Sequence, residues 1–196
     1  EPSVELAGGR CVHVPLASPD FAVDWQRLAD AITPRTRLIF INSPHNPSGA
    51  LLSRDDLDQL AALIRGRDIH VISDEVYEHL IFDGQRHASV LAHEELYQRA
   101  FVVSSFGKTY HVTGWKTGYV VAPPALTAEL RKVHQFMVFT VNTPMQVALA
   151  LATEMPQALS SMTNTTGSFH SAARFSVSWK APWLAAPSPM KDTATP

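Results

Sequence analysis

A single cysteine, Cys11, stands among 196 residues, so no disulfide within the chain can hold the fold. One thiol fits a reducing compartment, and a cytoplasmic location is expected. Charge is also sparse: 17% of residues are Asp, Glu, Lys or Arg, and the formal net charge is -2. The basic excess of a nucleic-acid-binding chain is missing, and Lys116, Arg131 and Lys132 do not make a phosphate-tracking patch. No nucleic-acid partner is expected. Long apolar runs are missing too. The stretches Leu38 to Ile41 and Tyr119 to Ala122 fall far short of the ~20 residues that a membrane helix needs, so no membrane partner is expected. Nine histidines are present, yet His79, His87 and His93 lack the spacing of a metal-ligand set, and no metal is expected. The opening Glu1-Pro2-Ser3 has neither an initiating methionine nor a signal-peptide pattern. It reads as the middle of a longer protein.

What is present is a globular composition, 45% hydrophobic, in a chain long enough for one sizeable core. Helix and strand signals alternate. Val12, Val14 and Leu16 alternate as in a strand. Trp25, Leu28 and Ile32 share a helical face behind Asp24 as cap, and Pro34 stops that helix. Leu38 to Ile41 reads as a buried strand. Ser53 and Asp56 form a capping-box pattern before Leu57, Leu60, Ala61 and Ile64 at helical spacing, with Gly66 placed to end the helix. Ile69 to Ile72 is the next strand, Glu94 to Ala100 a weaker helix, and Phe101 to Val103 and Tyr119 to Val121 further strands. Leu130, Val133, His134 and Met137 mark another helical face, and Thr143-Pro144 opens one more as cap and first residue. The alternation predicts an α/β fold with a mostly parallel central sheet.

Ligands of such sheets bind beyond the carboxyl ends of the strands. Asn46, Asp74 and Lys108 each follow a predicted strand, and one cleft can collect all three. Lys108 supplies an amine able to condense with an aldehyde. Asp74 supplies an acid group for a pyridine nitrogen, which keeps the ring protonated as an electron sink. Asn46 and Tyr77 can donate to a phenolate oxygen. Ser105 and Lys116 can bind phosphate, helped by backbone amides near Ser105 to Gly107. These are the requirements of pyridoxal phosphate. Each residue also has a plainer reading: Lys108 and Lys116 as surface charge, Asp74-Glu75 as a helix cap, Asn46-Pro47 and Ser48-Gly49 as turns, and Tyr77 as a core aromatic. Gly107-Lys108-Thr109 also resembles the end of a P-loop, but Val102 stands where that loop needs glycine.

Taken in order, Asn42 to Gly49, Ser73 to Glu78 and Ser104 to Tyr119 resemble the fold-type I pyridoxal-phosphate aminotransferases of class I/II, in particular the branch with methionine and kynurenine (glutamine) aminotransferases. The resemblance covers roughly residues 1 to 155. It implies a three-layer, aspartate-aminotransferase-like large domain, incomplete, over residues 1–156. The segment 157–196 is expected to be irregular, either poorly ordered or not native to the fold. Its residues Ser160 to Pro196 are rich in Ser, Thr, Ala and Pro with one acidic residue, Asp192.

The resemblance assigns Lys108 the Schiff base and the proton shuttle, Asp74 the pyridine nitrogen, Asn46 and Tyr77 the phenolate oxygen, and Ser105 and Lys116 the phosphate. Many relatives have arginine at the Lys116 position; lysine lacks its bidentate fork. The implied catalytic set is Lys108, Asp74 and Tyr77. The implied reaction is ping-pong transamination between an amino acid (methionine, another sulfur amino acid or an aromatic one) and a 2-oxo acid. The implied assembly is a homodimer, with Asn142-Thr143-Pro144 near its interface. Relatives bring a phosphate-binding turn and a ring-stacking aromatic from before the position of Glu1. They bring a carboxylate-binding arginine from near their C-terminus, and Arg174, the one arginine of the tail, does not match its surroundings. Weak or absent turnover by this polypeptide is therefore expected. Two alternatives stay open: a carbon–sulfur β-lyase on the same cofactor, and a non-catalytic fragment that keeps the cofactor shell.

Overall fold

The computed structural model describes residues 1–154. Two helices come first, α1 (Pro2–Leu6) and α2 (Trp25–Ala31). The sheet and its connections follow: β1 (Leu38–Asn42), α3 (Arg54–Ile64), β2 (His70–Asp74), α4 (Glu94–Tyr97), β3 (Ala100–Ser105), α5 (Phe106–Thr109) and β4 (Gly118–Val121). Two longer helices, α6 (Pro124–Met137) and α7 (Thr143–Glu154), close the described chain. The four strands lie in sequence order. β1, β2 and β3 are parallel, and β4 returns antiparallel to β3. Residues 157–196, with Arg174, lie outside the described residues.

Helix α3 forms where local chemistry and packing agree. Ser53 and Asp56 exchange hydrogen bonds as a capping box, satisfying amides that the first helical turn leaves free. Leu57, Leu60, Ala61 and Ile64 then fall on one face and are buried against Ile39, Val71, Ala100 and Val102 of the strands. Arg65 grips Glu95 of α4 through Nε and Nη2, the latter at 2.8 Å, and so joins the two helices on the same side of the sheet. Trp25 Nε1 donates to Asp56 at 3.1 Å, which ties α2 to the start of α3.

Several expectations change against the structure. Val12, Val14 and Leu16 form no strand; the nearest pairing is an isolated bridge between Ala17 and Ala22. Pro15 lacks the N–H that a ladder needs, and Val12 is 58% exposed, so nothing rewards extension there. The helix expected over Glu94 to Ala100 ends at Tyr97, and Ala100 opens β3. Asp74 is the last residue of β2 rather than a residue beyond it. At α7 the cap is Asn142, whose Oδ1 accepts from Met145 N–H at 3.3 Å, and Thr143 is already helical. The face of α6 with Val133 and Met137 is helical as expected, yet both residues are largely exposed.

Leu60 is fully buried at the centre of this core. Leu60→Ala should destabilise the fold by about 3 kcal/mol through lost contacts and a residual cavity. Ser53→Ala should cost about 1 kcal/mol through the lost cap. Urea unfolding midpoints check both, and the larger loss is expected at Leu60.

Candidate active site

Three parallel strands necessarily end on the same edge of their sheet. Here those ends are Asn42, Asp74 and Ser105, with Asn42 opposite Asp74 in register. Along β2 burial alternates: Val71 and Ser73 are buried, while His70, Ile72 and Asp74 are half-buried. The two-residue period thus keeps the Asp74 carboxylate off the face packed by α3 and turns Glu75 into the interior.

Asp74 Oδ1 accepts from Val76 N–H at 3.2 Å, which starts the turn that carries Tyr77. Asn46 Nδ2 donates to Tyr77 Oη at 3.2 Å. Because that hydroxyl accepts from Asn46, its own proton is free to be donated elsewhere. Lys108 lies in α5, and its Nζ is 5.6 Å from the centre of the Tyr77 ring, within cation–π range. Asn46, Tyr77 and Lys108 are therefore joined by direct contacts, and Asp74 is joined to them through the backbone. Ser105 ends β3 and makes no capping bond to α5. Lys116 is exposed and left-handed, with φ 53°, just before the segment that returns to β3. It reaches the neighbourhood of Ser105 by the chain path alone: Phe106 N–H donates to Thr117 O at 3.3 Å, and Gly118 pairs with Ser105.

Gly118 is needed at that crossing. A Cβ there would stand 2.7 Å from Ser104 O, a backbone atom that cannot swing aside.

Two carboxylates support this edge, the buried Glu75 and the half-buried Glu78, and neither was singled out in the sequence. Glu75 is 1% exposed. It accepts from Ser73 Oγ at 2.9 Å and from Val90 N–H at 3.0 Å, and it pairs with His87 Nε2 at 2.7 Å. Burial alone would raise its pKa, but the bonds to His87 and Ser89, the charge of His87 and the Val90 amide outweigh it and hold the carboxyl below its ordinary value. Glu78 accepts from Ser104 Oγ at 2.9 Å and from Tyr119 Oη at 2.7 Å. Burial, reinforced by Glu78, pushes the Tyr119 hydroxyl far above its ordinary pKa, so it remains a donor. Glu78 thereby locks the Tyr77 turn to β3 and β4. The only sequence signal for either carboxylate was the Asp74-Glu75-Val76-Tyr77-Glu78 run itself.

Set beside known proteins, residues 1–175 match the family model described as aminotransferase class I and II. The chain belongs to that family. Methionine aminotransferase of Escherichia coli (strain K12) is 55% identical over 149 residues, covering 76% of this chain and 39% of the relative. Human kynurenine–oxoglutarate transaminase 1 is 36% identical over 170 residues, covering 81% of this chain and 40% of the relative. Among solved structures, the methionine aminotransferase from Escherichia coli superposes with a TM-score of 0.79 at 51% identity, over 82% of this chain and 43% of that one. The aromatic aminotransferase from Pyrococcus horikoshii OT3 gives 0.78 at 36% identity, over 82% and 43%. The fold is thus that of the aminotransferase large domain, as the sequence motifs implied. The chain spans about two-fifths of the length of the curated relatives it matches.

The Glu75–His87 pair generates a pH prediction. A carboxyl with a depressed folded-state pKa adds stability above its unfolded value, near ~4.3. That stability is lost as pH falls through the folded value. His87→Ala removes both the bond and the charge by which His87 holds the carboxyl down, so the folded value rises. Acid unfolding followed by circular dichroism should then begin at higher pH than in the unsubstituted protein, and an unmoved midpoint would contradict the pairing.

Proposed function

We propose that the whole protein is a pyridoxal-phosphate-dependent aminotransferase that moves the amino group of methionine, or of another sulfur or aromatic amino acid, to a 2-oxo acid. The observation that carries this reading is the cluster of Asn46, Tyr77 and Lys108 beside the Asp74 strand end. Its donor set fits the cofactor: one amine, one carboxylate, two neutral donors 3.2 Å apart, and a serine hydroxyl not spent on capping. The 55% identity to a methionine aminotransferase supports the substrate class.

In this reading Asp74 holds the proton on the ring nitrogen, Asn46 and Tyr77 donate to the phenolate oxygen, and Ser105 and Lys116 hold the phosphate. Bound there, pyridoxal phosphate supplies an aldehyde for the amino group and a protonated ring that draws electrons from the substrate. Lys108 Nζ takes the proton from the substrate Cα and returns it within the site. Asp74 acts throughout as fixed negative charge opposite the ring cation, already oriented by β2 before substrate arrives. The reading includes a homodimer, supported by apolar surface exposed on and after α6 at Phe136, Met137 and Phe139. It includes a cytoplasmic location, supported by the lone cysteine.

The test is product analysis. The whole protein, supplied with pyridoxal phosphate, methionine and a 2-oxo acid, should yield the oxo acid of methionine in step with a new amino acid. Lys108→Ala should lower the rate by ~10³-fold or more. Pyruvate and ammonia from a sulfur amino acid, without exchange, would mean a lyase. Absence of turnover with the cofactor held on Lys108 would mean a non-catalytic shell.

A further inference from the structure

Asn42 is the last residue of β1, and its carboxamide is used at both ends. Nδ2 donates to the backbone carbonyl of Asp74 at 3.0 Å. Oδ1 accepts from the backbone N–H of Asn46 at 2.8 Å. The Asp74 carbonyl also accepts from Ser43 N–H at 3.1 Å, so the peptide after Asp74 is held from two sides. One side chain thus fixes the backbone of the residue assigned to the ring nitrogen and the backbone of a residue assigned to the phenolate. Through the Asn46–Tyr77 bond it also sets the second phenolate donor.

We infer that Asn42 is a positioning residue that holds the ring-nitrogen acid and the phenolate donors of the cofactor site at a fixed mutual geometry without touching the cofactor itself. The inference rests on the cofactor reading proposed above. Its chemical basis is specific. A carboxamide presents a donor and an acceptor on one short, rigid plane. Asp keeps the acceptor but replaces the donor with a negatively charged oxygen that faces the Asp74 carbonyl. Alanine removes both. With either change the loop Ser43–Ala50 keeps its own bonds, His45 N–H to Ala50 O at 2.8 Å and Gly49 N–H to His45 O at 2.7 Å. The turn therefore survives, still bonded to β2 through Ser43 N–H, while the side-chain tie from Asn42 to the Asp74 carbonyl is lost. The expected result is a site whose parts are all present but no longer aimed at one ring, which affects affinity and electronics together.

The test uses pyridoxal phosphate itself as probe, titrated into the unsubstituted protein, Asn42→Asp, Asn42→Ala and a distant stability control, Ser53→Ala. Affinity, the visible absorption band of the bound cofactor and the pH at which that band titrates are read for each. Both Asn42 variants should bind about tenfold more weakly, as expected for loss of one well-placed hydrogen bond, and should shift the band's titration. Ser53→Ala should lower thermal stability yet leave affinity and band unchanged. Asn42 variants that lose stability as Ser53→Ala does, with affinity and band unmoved, would overturn the inference. Should Asn42→Ala fail to fold, the isosteric Asn42→Asp decides by the same readings. Failure of the unsubstituted protein to bind the cofactor at all would overturn the cofactor reading and this inference with it.

Discussion

The parallel pairing of β1, β2 and β3 is the constraint from which the rest follows. Hydrogen bonding between parallel strands fixes both direction and register, so Asn42 must stand opposite Asp74 and the end of β3 must lie on the same edge. No single residue of the site creates this arrangement. It comes from the burial of Ile39, Val71 and Val102 against α3, which makes any slip in register expose apolar side chains. A core remote from the chemistry thus holds the chemical groups in place.

Around that edge the carboxylates find partners, while the buried Nδ1 of His87 has none among the described residues. Glu75 and Glu78 flank the Val76-Tyr77 turn, and each gathers partners from separate elements: Ser73, His87 and Val90 for the first, Ser104 and Tyr119 for the second. An unpaired carboxylate as buried as Glu75 would be costly, so its partners are required for the turn to exist in this form. The outcome is division of labour along five consecutive residues. Asp74, Tyr77 and Glu78 stay half-buried, Glu75 anchors them from the interior, and Glu78 ties them to Ser104 and Tyr119.

Much of this was legible in the sequence because local and tertiary signals agreed. The Ser53–Asp56 cap, the Leu57–Ile64 face and the apolar strands at 69–72 and 101–103 form as read, the strand at 38–41 forms with Leu38 and Phe40 exposed rather than buried, and three of the strand-end motifs converge. What was not legible depended on partners distant in the chain. The antiparallel direction of β4 is set by the fold-back between Ser105 and Gly118, closed by Phe106 N–H to Thr117 O, which no periodicity announces. The alternation at Val12, Val14 and Leu16 looked like a strand, but among the described residues no strand pairs with it, and Pro15 interrupts its donors. Glu78 reads as an ordinary surface acid until Ser104 and Tyr119 are brought to it.

The central claim is that these strand ends build one aldehyde-binding site on Lys108. It is tested most directly by adding pyridoxal phosphate, reducing with borohydride and mapping the modified peptide by mass spectrometry. The account predicts one dominant adduct on Lys108, absent from Lys108→Ala. Labelling spread over surface lysines, and unchanged by that substitution, would contradict it.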